Sequence, residues 1–467
     1  MSSQKYLMVA KTFEGLENVL KEELIEIGAS DVEAVEKGVK FSGPLEMLYK
    51  ANFCCRTALR ILVTIKEFGV KSSNDLYNGV RSIEWTDYFD IQQSFSVTST
   101  VHSEAFNNSM FVSLKTKDAI IDQFKSKLNK RPSVNTENPD IRVTVHATTD
   151  EVTVSLDSSG ESLTKRGYRP GQSEGSMSEV LAAGILKIAG WKGQCDFYDP
   201  ICGLGIITIE AALIARNIPP GIFRKSFAFE KWKNFNEDLF DAVYNADYEI
   251  PFGHSIYASD VSPGNVRIST ENARNAGLKK DIQFSLADFA TLKPIKDSGL
   301  LIVNPPHVQR ANERMVDSMY KMIGNSLKSN FKGIKSWVFS NSEEGLWSIG
   351  LKPSTIIKLY NGTIECELRN YEMYDGSKSF SRPDFNQRPS NDRYRDNSNF
   401  RGTRRTDAPG DRRPRSFGAK DADGRPTQTR RDDPKSTSGG AFQNRRRSDP
   451  PDRSSDGPKR PYRKPER

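Results

Sequence analysis

The sequence predicts an α/β protein: a doubly wound, mostly parallel sheet closed by an antiparallel hairpin, preceded by an α+β region and followed by a tail without a core. Three observations carry this. Between residues 195 and 340, short apolar runs alternate with longer amphipathic segments, the rhythm of a sheet with helices on its faces. Residues 355–360 and 364–373 read as strands around Asn361-Gly362, a strong hairpin signal because both central residues tolerate positive φ. From Ser377 the chain is Arg, Asp, Ser, Pro, Gly and Asn with isolated aromatics, too little apolar surface to offset the entropy of ordering, so residues 377–467 are expected to be disordered.

At 467 residues and 36% apolar, the chain has material for two or three domains. Its formal charge of +8 belongs to the tail, where residues 377–467 hold 25 basic and 13 acidic side chains and leave the rest slightly acidic. No apolar run approaches the roughly 18–20 residues of a membrane span, and Met1 to Lys5 lack the features of a signal peptide. A soluble, cytoplasmic protein is expected. The five cysteines are an odd number without C-x-x-C spacing, which points to reduced thiols, mostly in cores.

In chain order, residues 6–11 read as a strand and 15–27 as an amphipathic helix that stops at Gly28. Residues 115–128 read as a helix with Ala119, Ile120 and Phe124 inward and Lys115, Lys117 and Lys125 near its outer face. Residues 141–146 and 152–156 alternate apolar and polar side chains around Thr149-Asp150, the pattern of a half-buried hairpin. A Gly-, Ser- and charge-rich linker follows over 158–174. Strands are then expected at 195–198, 255–259, 282–286, 300–303 and 337–339, with a helix at 206–216. The expected domains are 1–55, 56–160, 161–376 and the tail.

The candidate site lies at strand ends. Asp199-Pro200-Ile201-Cys202-Gly203-Leu204-Gly205 stands between the first strand of the large sheet and a helix, where open α/β sheets bind ligands. Gly203 and Gly205 admit close backbone approach, and the helix start offers free N–H groups. A dinucleotide fold places its ribose-binding acid about 20 residues after the glycines; here the next candidate, Asp260, comes far later, which argues against a nicotinamide cofactor. Asp260 at the second strand end suits two ribose hydroxyls. Asp288 at the third suits an adenine amine, with Phe289 beside the ring. At the fourth, Asn304-Pro305-Pro306-His307 sets an amide oxygen and the following carbonyl as acceptors for an exocyclic NH2, beside a planar side chain.

With these residues in view, the chain resembles the THUMP-domain RNA methyltransferases that modify guanine N2, close to the bacterial 23S rRNA enzymes of the large-subunit K/L type. The likeness spans nearly all of residues 1–376. It includes Phe106-Asn107-Asn108-Ser109, Lys117 to Asp122, Arg166-Gly167-Tyr168-Arg169, Glu210-Ala211-Ala212, Phe229-Glu230-Lys231-Trp232, Asn272 to Gly277 and Leu359-Tyr360-Asn361-Gly362.

The resemblance implies a ferredoxin-like part at 1–55, a THUMP RNA-binding module at 56–160 and a Rossmann-like class I methyltransferase domain at 161–376. It implies S-adenosylmethionine as cofactor, held by Asp199, Gly203, Gly205, Asp260, Asp288 and Phe289, with no metal. Asn304, Pro305 and His307 fall on the amine-binding and base-stacking positions, and Lys115, Lys117 and Lys125 are candidate RNA contacts. The implied partner is rRNA or a pre-ribosomal particle, with no membrane and no obligate protein partner. Arginine pairs interleaved with aromatics in the tail suit non-specific RNA contact.

This chain departs from the family pattern at Leu204 and Ile206, where serine and threonine are usual, and at His307, where tyrosine is usual. Val308-Gln309-Arg310 and Glu174-Gly175-Ser176-Met177 are also altered. Two readings stay open: methyl transfer with an imidazole stacking on the base, and an RNA-binding relative without turnover. A DNA adenine-N6 enzyme shares Asn-Pro-Pro but leaves the N-terminal half unexplained.

Overall fold

The structure is a computed structural model, and it describes residues 4–103, 106, 108–169, 176–306 and 313–373. His307 and the basic tail lie outside the described residues.

The first half builds one seven-stranded sheet. Its elements are β1 (Tyr6–Lys11), α1 (Glu17–Glu26), β2 (Ser30–Val35), β3 (Gly38–Gly43), α2 (Leu45–Cys54), β4 (Arg60–Gly69), α3 (Ser73–Arg81), β5 (Phe95–His102), α4 (Ser109–Leu128), β6 (Ile141–Thr148) and β7 (Glu151–Asp157). The strand order is β2-β3-β1-β4-β7-β6-β5. β4 pairs with β1 on one side and β7 on the other, so one unbroken sheet joins all the strands from β1 to β7. Period-two alternation sends Met8, Ala10, Val39, Phe41, Ile61, Val63, Val143, Val145, Val152 and Val154 into the core. The expected hairpin is present as β6 and β7, paired antiparallel. α4 begins at Ser109, six residues before the helix expected from periodicity, because Asn108 caps it: Asn108 Oδ1 accepts from the Met110 N–H at 2.8 Å.

The second half contains α5 (Glu179–Ile188), β8 (Phe197–Asp199), α6 (Ile206–Ala215), α7 (Glu237–Tyr244), β9 (Ile256–Asp260), α8 (Pro263–Asn275), β10 (Ile282–Leu286), β11 (Gly299–Val303), α9 (Glu313–Ser329), β12 (Ile334–Ser340), α10 (Glu343–Ser348), β13 (Thr355–Asn361) and β14 (Ile364–Tyr371). The order β10-β9-β8-β11-β12-β14-β13 is parallel through β12 and closes with an antiparallel hairpin. Strand order reverses between β8 and β11, the switch point at which open α/β sheets bind ligands.

The stretch read as a linker is packed at its start. Ser158 and Ser159 are fully buried, and Ser158 N–H donates to the Ile61 carbonyl at 3.0 Å. Arg166, 2% exposed, donates to the carbonyls of Leu163 and Arg56 and pairs with Glu210 at 3.4 Å. A charged side chain so deeply buried is tolerated because carbonyls and a carboxylate replace its water. Tyr49 of α2 packs on Phe229 with ring centroids 4.6 Å apart, so the second half also contributes to the first half's core. All five cysteines are free, with Cys55, Cys202 and Cys366 buried and Cys54 and Cys195 partly so.

Candidate active site

Asp199, Gly203, Asp260, Asp288, Phe289, Asn304 and Pro305 line one cavity of about 550 Å³ at the carboxyl ends of the parallel strands. Each is placed by its strand: Asp199 ends β8, Asp260 ends β9, Asn304 follows β11, and Asp288 with Phe289 follows β10.

The loop between β8 and α6 is tied to its neighbours through its backbone. Cys202 N–H donates to the Ser259 carbonyl at 2.9 Å, and Gly203 N–H donates to Asp260 Oδ2 at 3.0 Å. The Leu204 carbonyl accepts from Asn272 Nδ2 at 3.0 Å, while its side chain packs against the core of the second sheet. The loop path therefore stands without hydroxyls at 204 and 206.

The two glycines do different work. Both have positive φ, 51° at Gly203 and 77° at Gly205. A Cβ on Gly205 would lie 2.8 Å from Ser269 Cβ in α8, whereas one on Gly203 meets no protein atom within 4 Å. Gly205 thus permits helix packing, and Gly203 keeps space open on the cavity side. Gly205→Ala is expected to lower stability by about 2–4 kcal/mol, from left-handed strain and overpacking together. Gly203→Ala is expected to cost about 1–2 kcal/mol of stability from strain, with its distinct effect on ligand affinity. Denaturant unfolding and ligand titration of both variants check the contrast; equal losses of stability would contradict it.

Asp199 is 1% exposed, and its Oδ2 accepts from Thr208 Oγ1 at 2.5 Å. Its Oδ1 is buried and meets no partner by distance and angle among the described residues, although the backbone N–H groups of Thr208 and Ile201 lie near enough to favour the carboxyl's charge. Burial, opposed by the Thr208 hydroxyl and reinforced by the nearby Asp260 charge, pushes its carboxyl up to about 7. Asp260 is 5% exposed and more heavily engaged: Oδ1 accepts from Ser262 N–H at 2.9 Å and Asn265 Nδ2 at 3.1 Å, in addition to the Gly203 bond at Oδ2. With two acceptor positions per oxygen, one position is left, on Oδ2. Asp288 Oδ1 accepts from the Ala290 N–H at 2.9 Å. Phe289 is 2% exposed and packs on Phe331 at 5.3 Å, so it is a core residue that reaches the cavity wall.

Asn304 Oδ1 is another buried oxygen of this cavity's lining without a partner among the described residues. An acceptor left so is costly, about 1–3 kcal/mol, unless a ligand completes it. Sequence reasoning missed Thr208, which holds Asp199, and Ser262 and Asn265, which hold Asp260. Ser262 carried a signal, since Ser-Pro starts a helix and Ser262 caps α8. Met177, Met319 and Met322 also line the cavity, with no local signal.

The three lysines of α4 do not reach this cavity. Lys117 pairs with Asp118 at 3.3 Å and Lys125 with Asp122 at 3.8 Å, while Lys115 Nζ sits 5.0 Å from the Tyr77 ring centroid. The same helix exposes Met110, Phe111 and Leu114.

Comparison with known proteins agrees with this architecture. Residues 8–62 match the RlmL ferredoxin-like domain, 70–157 the THUMP domain and 166–370 the RMKL-like methyltransferase domain. The chain is 36% identical over 371 residues to the ribosomal RNA large subunit methyltransferase K/L of Psychromonas ingrahamii, covering 78% of this chain and 49% of that protein. It therefore spans about half the length of that relative. It is 34% identical over 364 residues to slr0064, a candidate RNA methyltransferase of Synechocystis sp., covering 77% of this chain and 95% of that protein. The crystal structure of SMU.472, a candidate methyltransferase in complex with SAH, superposes with a TM-score of 0.72 at 29% identity, covering 80% of this chain and 99% of that one. The chain belongs to the RMKL-like methyltransferase family, with ferredoxin-like and THUMP domains preceding its methyltransferase domain.

Proposed function

We propose that the protein is an S-adenosylmethionine-dependent RNA methyltransferase acting on the exocyclic N2 of a guanine in large-subunit rRNA. The observation that carries this reading is that Asp199 and Asn304, at neighbouring strand ends across the switch point, line one cavity, and each has a buried oxygen, Oδ1, without a partner among the described residues. A cation completes the first and an amine N–H the second.

The residues present fit the cofactor. Asp199 Oδ1 would take its ammonium, the vacant position on Asp260 Oδ2 one ribose hydroxyl, and Asp288 the adenine amine beside Phe289. Gly203 leaves room where any other residue would place a Cβ. The cofactor, when bound, supplies an electrophilic methyl on a sulfonium. Asn304 Oδ1 and the Pro305 carbonyl would accept from the two N–H groups of the base, which localises the nitrogen lone pair toward the methyl. His307 would stack on the base. Gly205, expected among the cofactor contacts, lies against Ser269 of α8 and is not among the residues that line the cavity.

The THUMP domain and the rRNA-methylating relative support an RNA substrate, whether free rRNA or an assembling particle, and hence the cytoplasm. Among the described residues no helix is long and apolar enough to cross a membrane. Lys115, Lys117, Lys125 and the arginine-rich tail are proposed as secondary RNA contacts.

A pH dependence follows from Asp199. Its folded pKa is raised from 3.8 to about 7, so its contribution to stability is fully present below pH 3.8 and is lost as pH rises through 7. Cofactor affinity runs the other way, because an ammonium needs the ionised carboxylate. Affinity is expected to fall by about tenfold per pH unit below 7 and to turn down again above about 8, where the ligand's own α-amino group loses its proton. Calorimetric titration between pH 5.5 and 8.5 checks this; a flat profile contradicts it.

The function itself is tested by S-adenosylmethionine binding to the full chain and by methyl transfer to 23S rRNA and to duplex DNA. Binding with transfer to rRNA is expected. Folded protein without binding would leave an RNA-binding relative that has lost turnover. Transfer to duplex DNA alone would point to adenine N6 instead.

A further inference from the structure

We propose that Thr208 is a positioning residue for the cofactor, acting through Asp199 from beneath the glycine loop. This rests on the methyltransferase reading above and deepens it.

Thr208 is fully buried on α6, and its Oγ1 lies 2.5 Å from Asp199 Oδ2. A threonine inside a helix ordinarily returns its hydroxyl to a backbone carbonyl of the preceding turn; this one reaches the end of β8. Asp199 can rotate about its Cα–Cβ and Cβ–Cγ bonds, and the Thr208 bond anchors one of its oxygens. The other oxygen, buried and without a partner by distance and angle among the described residues, belongs to a side chain that lines the cavity.

The sequence context gives this bond weight. The family's usual threonine at 206 is isoleucine here, and Ile206 lines the cavity as an apolar wall. Residues two apart on a helix point about 200° away from each other, so Thr208 does not restore a hydroxyl to the cavity wall. It supplies one from the opposite side, where it meets the carboxylate and not the ligand.

The bond also governs charge. The titratable group acting on Asp199 is Asp260 at the end of β9, and the backbone N–H groups of Thr208 and Ile201 join the Thr208 hydroxyl in favouring its charge; the Cys202 thiol in the loop is itself pushed up by burial and by Asp199. Asp260 disfavours its ionisation, as does burial, whereas the Thr208 hydroxyl favours it. Removing the hydroxyl leaves a carboxyl that ionises at higher pH.

The test compares Thr208→Val, which keeps shape but not the donor, with Thr208→Ser, which keeps the donor. S-adenosylhomocysteine binding to the full chain is measured by calorimetry between pH 6 and 9, alongside ligand-free thermal melting over the same range. For Thr208→Val the expected results are about tenfold weaker binding at pH 7, recovery toward wild type at pH 9, and a melting profile displaced to higher pH without ligand. Thr208→Ser is expected to match wild type. Should the valine variant not fold, Thr208→Cys, with its weak donor, carries the same comparison. Wild-type affinity and an unshifted midpoint in Thr208→Val would overturn the proposal while leaving the cofactor reading intact. An equal loss at every pH, unrepaired by serine, would also overturn it, by reducing Thr208 to packing. Absence of binding by the wild type at every pH would overturn the cofactor reading itself.

Discussion

Replacing Asn304 with alanine is expected to lower methyl transfer by about 10²–10³-fold while cofactor binding stays within a few-fold of wild type. The magnitude follows from removing one preorganised polar group at the reacting centre. Asn304 Oδ1 is buried without a partner, so the variant removes an acceptor whose protein environment leaves it free for a substrate N–H. No described hydrogen bond within the protein is broken at that oxygen, and stability should hold or rise slightly, since an unsatisfied buried oxygen is lost. Single-turnover kinetics with saturating rRNA, together with calorimetry and denaturant unfolding, separate the three quantities. A variant with unchanged turnover would sink the amine-binding role of Asn304. A variant that lost cofactor binding in proportion to turnover would move its role to the cofactor.

Asp260→Ala is expected to abolish measurable cofactor binding and to destabilise the fold by about 2–3 kcal/mol. Both consequences come from one carboxylate. Gly203 N–H, Ser262 N–H and Asn265 Nδ2 all donate to it from partly buried positions, where each donor left unsatisfied costs toward the low end of about 1–3 kcal/mol. Water entering the cavity relieves part of that sum. The Gly203 bond also joins the loop after β8 to the end of β9, so the variant loosens the loop as well as removing the ribose acceptor. Asp260→Asn keeps one carbonyl acceptor and is expected to fall between wild type and alanine in unfolding midpoint. If Asp260→Ala were as stable as wild type, the three donors would have to find other partners, and the structural half of the argument would fail. If it bound cofactor normally, the ribose role would fail.

Most of the second sheet is legible in the residues alone. β10 begins and ends where the pattern places it, α6 starts at Ile206 as expected, and the closing hairpin forms where expected but turns one residue later, at Gly362-Thr363, because Asn361 pairs with Ile364 at the end of β13 and Gly362 alone of the two expected turn residues takes a positive φ. These features are legible because their causes are local: apolar runs of strand length, a glycine turn with positive φ, and an Asn-Gly pair between two alternating strands. The acids at three strand ends were legible for the same reason, since a strand's carboxyl end can be read once the strand is.

Other features depend on segments that meet only when the chain folds. Residues 1–160 share one sheet because β4 is hydrogen-bonded to both β1 and β7, a pairing between segments nearly one hundred residues apart that no short window encodes. The charged stretch around Arg166 and Tyr168 is buried, not solvated, because Glu210 and the Arg56 carbonyl await it. Asp199 and Asp260 are both carboxylates at strand ends, alike in sequence. One keeps a buried oxygen free while the other has both oxygens engaged, because Thr208 satisfies one oxygen of the first and three donors crowd the second. Local pattern places a polar group at the end of an element; which donors meet it there depends on elements that fold against it from elsewhere in the chain, and that decides its charge and its availability to a ligand.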